Sequence, residues 1–315
     1  MNLVQKLKYN FIRNSIEYGK NTPTFFGQLQ NGLTQAAATP AGDKTNKNDG
    51  TAGDAKERTT HFGFQTVKES EKDQKVHKVF EDVASSYDLM NDAMSIGIHR
   101  IWKDIFMDRL GPVHGIRLLD MAGGTGDIAF RYIRYLAAQQ NPLGRESHVT
   151  ISDINQHMLD VGKERAKRIP LTEENLPNLK INWQQADAEQ LPFADASYTA
   201  YTIAFGIRNC THIDKVLHEA YRVLQPGGRF MCLEFSHLTN DTLQWLYDQY
   251  SFQVIPPMGQ ILAGQWQPYQ YLVESIRQFP KQDQFKQMIE DAGFEMVHYE
   301  NLTFGVVSIH SGFKL

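Results

Sequence analysis

Apolar positions along this chain fall into two rhythms. Short, nearly unbroken apolar runs occupy Ile116 to Met121, Val149 to Ile154, Leu179 to Gln184, Tyr198 to Phe205 and Gly228 to Phe235. Runs of that length suit strands buried on both faces of a parallel sheet. Between them, Ile128 to Ala138, Gln156 to Arg168 and Asp214 to Val223 carry apolar residues at helical spacing. The last of these stops at Leu224-Gln225-Pro226-Gly227-Gly228, a helix end and turn. Upstream, Lys72 to Asp82, with Val76, Val79, Phe80 and Val83, and Ile101 to Leu110, halted by Gly111 and Pro112, predict two amphipathic helices. At the other end, Phe294 to Leu302 and Val306 to Phe313 read as strands joined by Thr303-Phe304-Gly305. That link is too short for a crossover and predicts an antiparallel pair. Strands alternating with helices predict an α/β fold, a doubly wound, mostly parallel sheet of seven strands with one antiparallel strand.

The pattern changes before this body. Leu3, Leu7 and Phe11, with Val4 and Ile12, form one apolar helical face, while Lys6, Arg13 and Lys20 lie on another. Glu17 is the only acid up to Gly42, so this segment carries +3 while the chain as a whole carries −4. A basic, acid-poor amphipathic start describes a mitochondrial presequence, assigned to residues 1–33. Residues 34–60 hold Ala, Thr, Gly, Asp, Asn and Lys without a large apolar side chain, and read as a disordered linker. The folded domain is assigned to residues 61–315.

Length and composition add limits. The chain has 315 residues, 41% hydrophobic and 22% charged, which fits a globular enzyme and argues against wholesale disorder. The net negative charge gives no reason to expect a nucleic-acid partner. No apolar run approaches the 18 or so residues of a membrane span. Cys210 and Cys232 are the only cysteines and lack CxxC spacing, so no cysteine-based metal site is predicted.

Candidate chemistry gathers at the strand ends. Asp120-Met121-Ala122-Gly123-Gly124-Thr125-Gly126-Asp127 follows the first strand of the alternating region and opens a helix. Glycines let such a loop turn sharply and approach a ligand. Asp153, at the end of the next strand, can hold two ribose hydroxyls, and Asp187-Ala188, after the third, can meet an adenine edge. This order of sites, with a parallel sheet finished by one reversed strand, resembles the class I, Rossmann-like plan of S-adenosylmethionine-dependent methyltransferases. Gly123, Gly124, Thr125, Gly126, Asp153, Asp187 and Ala188 are the candidate cofactor residues. Gly124 to Ala129 also satisfies GxGxxA, so a nicotinamide oxidoreductase stays open. Asp120 and Asp127 favour the first reading, because a carboxylate repels a pyrophosphate and suits the amino group of a methionine moiety.

Longer strings carry a family resemblance. Tyr87-Asp88-Leu89-Met90-Asn91 through Met94-Ser95, Gly97, His99-Arg100 and Trp102 resembles the YDxMNxxMSxGxHRxW signature of the ubiquinone/menaquinone-biosynthesis C-methyltransferases. Arg222-Val223-Leu224-Gln225-Pro226-Gly227-Gly228 with Glu234-Phe235-Ser236, and Ala204-Phe205-Gly206-Ile207-Arg208-Asn209, resemble two further strings of that family. Gln225 and Ala204 depart from its usual lysine and serine. With the presequence, the resemblance points to the family's mitochondrial ubiquinone branch. It implies methylation of a ring carbon of a polyprenyl benzoquinol, 2-methoxy-6-polyprenyl-1,4-benzoquinol, with S-adenosylmethionine as donor. A demethylmenaquinone-type substrate is the alternative within the family. It also implies a multi-subunit ubiquinone-biosynthesis complex and peripheral contact with the matrix side of the inner membrane.

Carbon methylation needs an electron-rich ring, a proton acceptor and exclusion of water. Arg208 and Asn209 follow the fourth strand, where ligands of doubly wound sheets lie. Arg208 is the candidate for stabilising the phenolate, Asn209 for orienting an oxygen, and Tyr87 for hydrogen-bonding a ring substituent. A salt bridge closing the loop is the competing role for Arg208. His99 is either a base or a structural histidine, and Glu234 either a ligand contact or a cap. Thr242 to Val273 carries a single charge, Asp248, among seven aromatic residues. It reads either as two core helices joined by a proline turn or as an apolar cover for the tail. A non-catalytic scaffold that binds cofactor is the remaining alternative.

Overall fold

The computed structural model describes residues 58–83, 87–169, 176 and 178–315, without the side chains of 73 and 80–90. The proposed presequence, and the linker as far as residue 57, lie outside the described residues. Seven strands form one sheet: β3 (Arg117–Met121), β4 (Ser147–Asp153), β5 (Leu179–Gln185), β6 (Tyr198–Ala204), β7 (Leu224–Phe235), β8 (Glu295–Leu302) and β9 (Val307–Phe313). Their order across the sheet is β5-β4-β3-β6-β7-β9-β8. The first five pair in parallel, and β9 runs antiparallel to both of its neighbours. The reversed strand therefore lies inside the sheet, and β8 forms the edge. The burial patterns explain why. Six of the seven residues of β9 are buried, while β8 alternates unevenly between exposed and covered positions.

The chain moves from β3 outward through β4 to β5, then returns beside β3 as β6. This reversal opens a crevice at the carboxyl ends of β3 and β6, the place where doubly wound sheets bind ligands. Helices cover both faces. Helices α3 (Ile98–Leu110) and α4 (Asp127–Ala137) pack Phe106, Met107, Tyr132 and Ile133 on one face. Helices α6 (Ile213–Val223) and α10 (Gln282–Asp291) pack Val216, Leu217, Phe285 and Ile289 on the other. Each such fully buried side chain contributes about 1.5–3 kcal/mol relative to exposure. Helix α5 (Gln156–Ala166) links β4 to β5, with the Asn155 side chain accepting from the Met158 N–H at its start.

Two regions depart from the sequence reading. An antiparallel hairpin, β1 (Thr59–Phe62) and β2 (Gln65–Lys68), precedes α1 (Glu69–Val83) and takes in the last two residues assigned to the linker. Phe62 stacks on Tyr271 with ring centroids 4.2 Å apart, and the Phe64 N–H donates to Glu274, tying the hairpin to the body. The apolar segment after β7 forms three helices rather than two: α7 (Asp241–Gln253), α8 (Ile255–Ala263) and α9 (Gln267–Gln278). Prolines occupy the first turns of α8 and α9, where the missing N–H is not needed, so each proline starts a helix. Together with α2 (Tyr87–Ser95), these helices form a layer beyond the carboxyl ends of the strands.

Candidate active site

The loop after β3 is built around its backbone. Gly126 adopts φ 82 at the start of α4, a conformation that costs a residue with a Cβ about 1–2 kcal/mol. The Gly124 N–H donates to Asp153 Oδ2 and the Asn155 N–H to Oδ1, both at 2.9 Å. Each Asp153 oxygen keeps a lone pair for a ligand hydroxyl. Burial pushes the Asp153 carboxyl up, and those two N–H groups oppose the shift. Asp120 lies deeper, accepting from the Ala129 N–H at 3.1 Å and the Thr202 hydroxyl at 2.8 Å. Its burial pushes the carboxyl up to about 7. Thr125 accepts from the Arg165 guanidinium, and Asp187 accepts from the Glu189 N–H at 2.9 Å.

All the cofactor candidates except Gly126 line one cavity: Gly123, Gly124, Thr125, Asp153, Asp187 and Ala188. Gly126 shapes the loop without facing it. The sequence reading missed Asn155. Its oxygen caps α5, and its buried Nδ2 has no hydrogen-bond partner among the described residues, although the residue lines this cavity. A buried amide without an acceptor fits a site built for a ligand that supplies one. Two carboxylates beside a nucleoside-sized space and this spare donor fit S-adenosylmethionine. Asp127 behaves differently from the expectation. Burial acts to raise its pKa, but Lys103, at 2.7 Å, and Arg131 hold it well below the usual carboxylate range. Its charge is already matched, so Asp127 is not the repulsive group that argued against a dinucleotide.

A second cavity lies under α2, α7, α8 and α9. Its walls include Met94, Trp102, Tyr250, Ile255, Leu272 and Ile276, with Arg208 and His99 among the few polar groups. Phe205 and Lys103 line both cavities. Phe205 follows β6 directly with φ 57, an uncommon conformation for an aromatic residue, and its ring packs on Phe235 at 4.8 Å. Residues held in sparsely populated backbone regions cost about 1–3 kcal/mol and cluster at ligand sites. The sequence pointed to neither Phe205 nor Lys103, because their roles arise only where two cavities meet.

Arg208 and Asn209 follow in the short 3₁₀ turn Ile207–Asn209 and divide between the cavities. Arg208, 7% exposed, lines the apolar one, donates to the Phe205 carbonyl and pairs with Glu234 at 3.0 Å. The loop-closing salt bridge is thus present, on a residue that also faces a cavity. Glu234 is its buried counter-ion and lines neither cavity. Asn209 lines the polar cavity and accepts from the Tyr271 hydroxyl at 3.0 Å. The Tyr87 side chain lies outside the described residues. His99 lines the apolar cavity and bonds Asp92 through Nε2 at 2.8 Å.

The sequence model of the ubiE/COQ5 methyltransferase family matches residues 68–314. The mitochondrial 2-methoxy-6-polyprenyl-1,4-benzoquinol methylase of Drosophila melanogaster is 80% identical over 260 residues, covering 82% of this chain and 86% of that one. The Homo sapiens protein of the same name is 54% identical over 282 residues, covering 81% and 84%. Among solved structures, a S-adenosylmethionine-dependent methyltransferase from Thermotoga maritima aligns with a TM-score of 0.49 at 15% identity, covering 76% of this chain and 100% of that one.

Proposed function

The chain belongs to the ubiE/COQ5 methyltransferase family, and from that premise we propose how its two cavities work together. The protein is a S-adenosylmethionine-dependent C-methyltransferase acting on 2-methoxy-6-polyprenyl-1,4-benzoquinol in ubiquinone biosynthesis, as the names of its relatives indicate. The observation that carries the reading is the meeting of a carboxylate-lined cavity with an apolar one at Phe205 and Lys103. The first suits a charged nucleoside, the second a quinol ring with an isoprenoid tail.

S-adenosylmethionine supplies an electrophilic methyl group. Asp153 holds the ribose hydroxyls, while Asp187, Ala188 and Asn155 meet the adenosine. Asn209 and the Gly123–Gly124 backbone fix the end of the polar cavity nearest the ring. Arg208 stabilises charge developing on the quinol oxygen, and its bond to Glu234 keeps the guanidinium in place. Tyr87 hydrogen-bonds a ring substituent. A guanidinium is too weak a base to take the hydroxyl proton at working pH. The walls of Trp102, Tyr250 and Leu272 exclude water.

The helices that wall the apolar cavity also carry exposed apolar side chains: Leu243, Trp245 and Leu246 on α7, and Ile261 and Leu262 on α8. No helix among the described residues is long and apolar enough to cross a membrane. This surface favours peripheral contact with the matrix side of the mitochondrial inner membrane, where a polyprenyl substrate dissolves. Other enzymes of ubiquinone biosynthesis bind there as partners in a complex. Residues 1–33 act as the presequence, and the stretch from 34 to the start of β1 as its linker.

The test is transfer of a labelled methyl group to a short-tail quinol, with the product mapped by mass spectrometry. The reading expects one methyl on a ring carbon. Methyl on oxygen, or no transfer from a preparation that binds S-adenosylmethionine, would overturn it.

A further inference from the structure

We propose that His99 is the base that takes the quinol hydroxyl proton, with Asp92 fixing the imidazole tautomer that leaves Nδ1 free to accept it. The inference rests on the quinol methylation described above. His99 sits in the first turn of α3, is buried, and lines the apolar cavity. Asp92, on α2, holds Nε2 at 2.8 Å, and a carboxylate accepts only, so Nε2 carries the proton. Nδ1 is buried and has no hydrogen-bond partner among the described residues. A buried lone pair left without a donor is costly, and the residue that carries it lines the cavity proposed for the quinol.

The surroundings keep the imidazole neutral and ready. Burial pushes the His99 pKa below its ordinary value, with Lys103 and Arg100 acting in the same direction and Asp92 opposing them. Arg100 donates twice to Asp92, at 2.8 and 2.7 Å, which fixes the carboxylate. Arg208, Tyr247, Tyr250, Tyr269 and Tyr271 are the other ionisable side chains lining the cavity from the helices and turn that enclose it.

The proton count closes. The hydroxyl proton passes to Nδ1, giving an imidazolium paired with Asp92. The electron pair left on oxygen feeds the ring, whose carbon bonds the methyl carbon as the carbon–sulfur bond breaks and sulfur becomes a neutral thioether. The imidazolium returns its proton to the oxygen, the neutral imidazole then takes the ring proton, and His99 gives that proton to solvent once the product has left. One proton is released per methyl transferred.

The test is the pH dependence of kcat for wild type, His99→Gln and Asp92→Asn with a short-tail quinol, beside S-adenosylmethionine affinity and Tm. Wild type is expected to lose activity on the acid side below the ordinary imidazole range. His99→Gln should lower kcat by about 10²–10⁴ and abolish that acid limb, with cofactor affinity kept. Asp92→Asn should move the limb to lower pH, because the imidazolium loses its counter-charge. If His99→Gln does not fold, the displaced limb of Asp92→Asn decides. An acid limb unchanged in Asp92→Asn, or a His99→Gln enzyme within a few-fold of wild type, would overturn the proposal. Wild-type turnover is the control: its absence would count against the quinol reading instead.

Discussion

Asp120 and Arg208 are both buried, and the protein treats their charges in opposite ways. Asp120 has no cation partner in its hydrogen-bonded surroundings, and burial lifts its carboxyl to about 7. A raised folded pKa favours the protonated folded state. The stability it gives is full below the ordinary carboxyl value and is lost as pH rises toward 7. Asp120→Asn resembles the protonated form, since the Thr202 hydroxyl can accept from the new amide. The variant should melt near wild type at pH 4 and above it at pH 8, by scanning calorimetry. A difference that does not grow with pH would contradict the account. Arg208 is instead ion-paired with buried Glu234 at 3.0 Å. Removing one partner of a buried pair typically costs about 3–5 kcal/mol, so the milder Arg208→Lys should still lower Tm by several degrees. It should also cut kcat by about 10²–10³ at unchanged cofactor affinity. A lower Tm with normal kcat per folded molecule would leave Arg208 a purely structural role.

Elements set how closely the two site loops approach. A Cβ built at Gly206, after β6, would lie 2.4 Å from the Ala122 Cβ, after β3. Gly206→Ala must push the loops apart and is expected to weaken S-adenosylmethionine binding at least about 10-fold by calorimetry, since misplacement of about 1 Å can cost that much. Unchanged affinity would show that the loops have slack. The central strands were legible because their apolar runs are buried on both faces. The reversed strand was legible as one of an antiparallel pair, but its inner place was hidden by Ser308, His310 and Ser311, polar residues that the sheet nonetheless buries. The β1–β2 hairpin left no periodic signal, because Val67 is its only buried apolar residue. In the site, Asp153 and Asp187 were found by counting strand ends. Asn155 and Lys103 were not, and the salt bridge considered for Arg208 had no named partner until the structure supplied Glu234, since these roles depend on contacts between elements distant in sequence. Asp127 misled, because Lys103 reaches it from α3.

Over the whole molecule, the helical layer that walls the apolar cavity also bears exposed apolar surface. Trp245 is 60% exposed and Ile261 is 81% exposed, and neither lines a cavity. Burying one such side chain in a lipid interface contributes about 1.5–3 kcal/mol. The double variant Trp245→Ser with Ile261→Ser should therefore lose at least about 10-fold in vesicle affinity by flotation, while turnover of a short-tail quinol stays unchanged. Equal vesicle binding would remove this face from membrane contact. The account as a whole depends on two ligands meeting across Phe205. Its most direct test is the structure of the ternary complex with S-adenosylhomocysteine and a short-tail quinone. The expected result places ribose on Asp153, adenine beside Asp187-Ala188, and the quinone ring between Phe205, Arg208 and His99, with its tail running toward Tyr250 and Ile276. A quinone bound outside the apolar cavity, or a nucleoside away from Asp153, would contradict it.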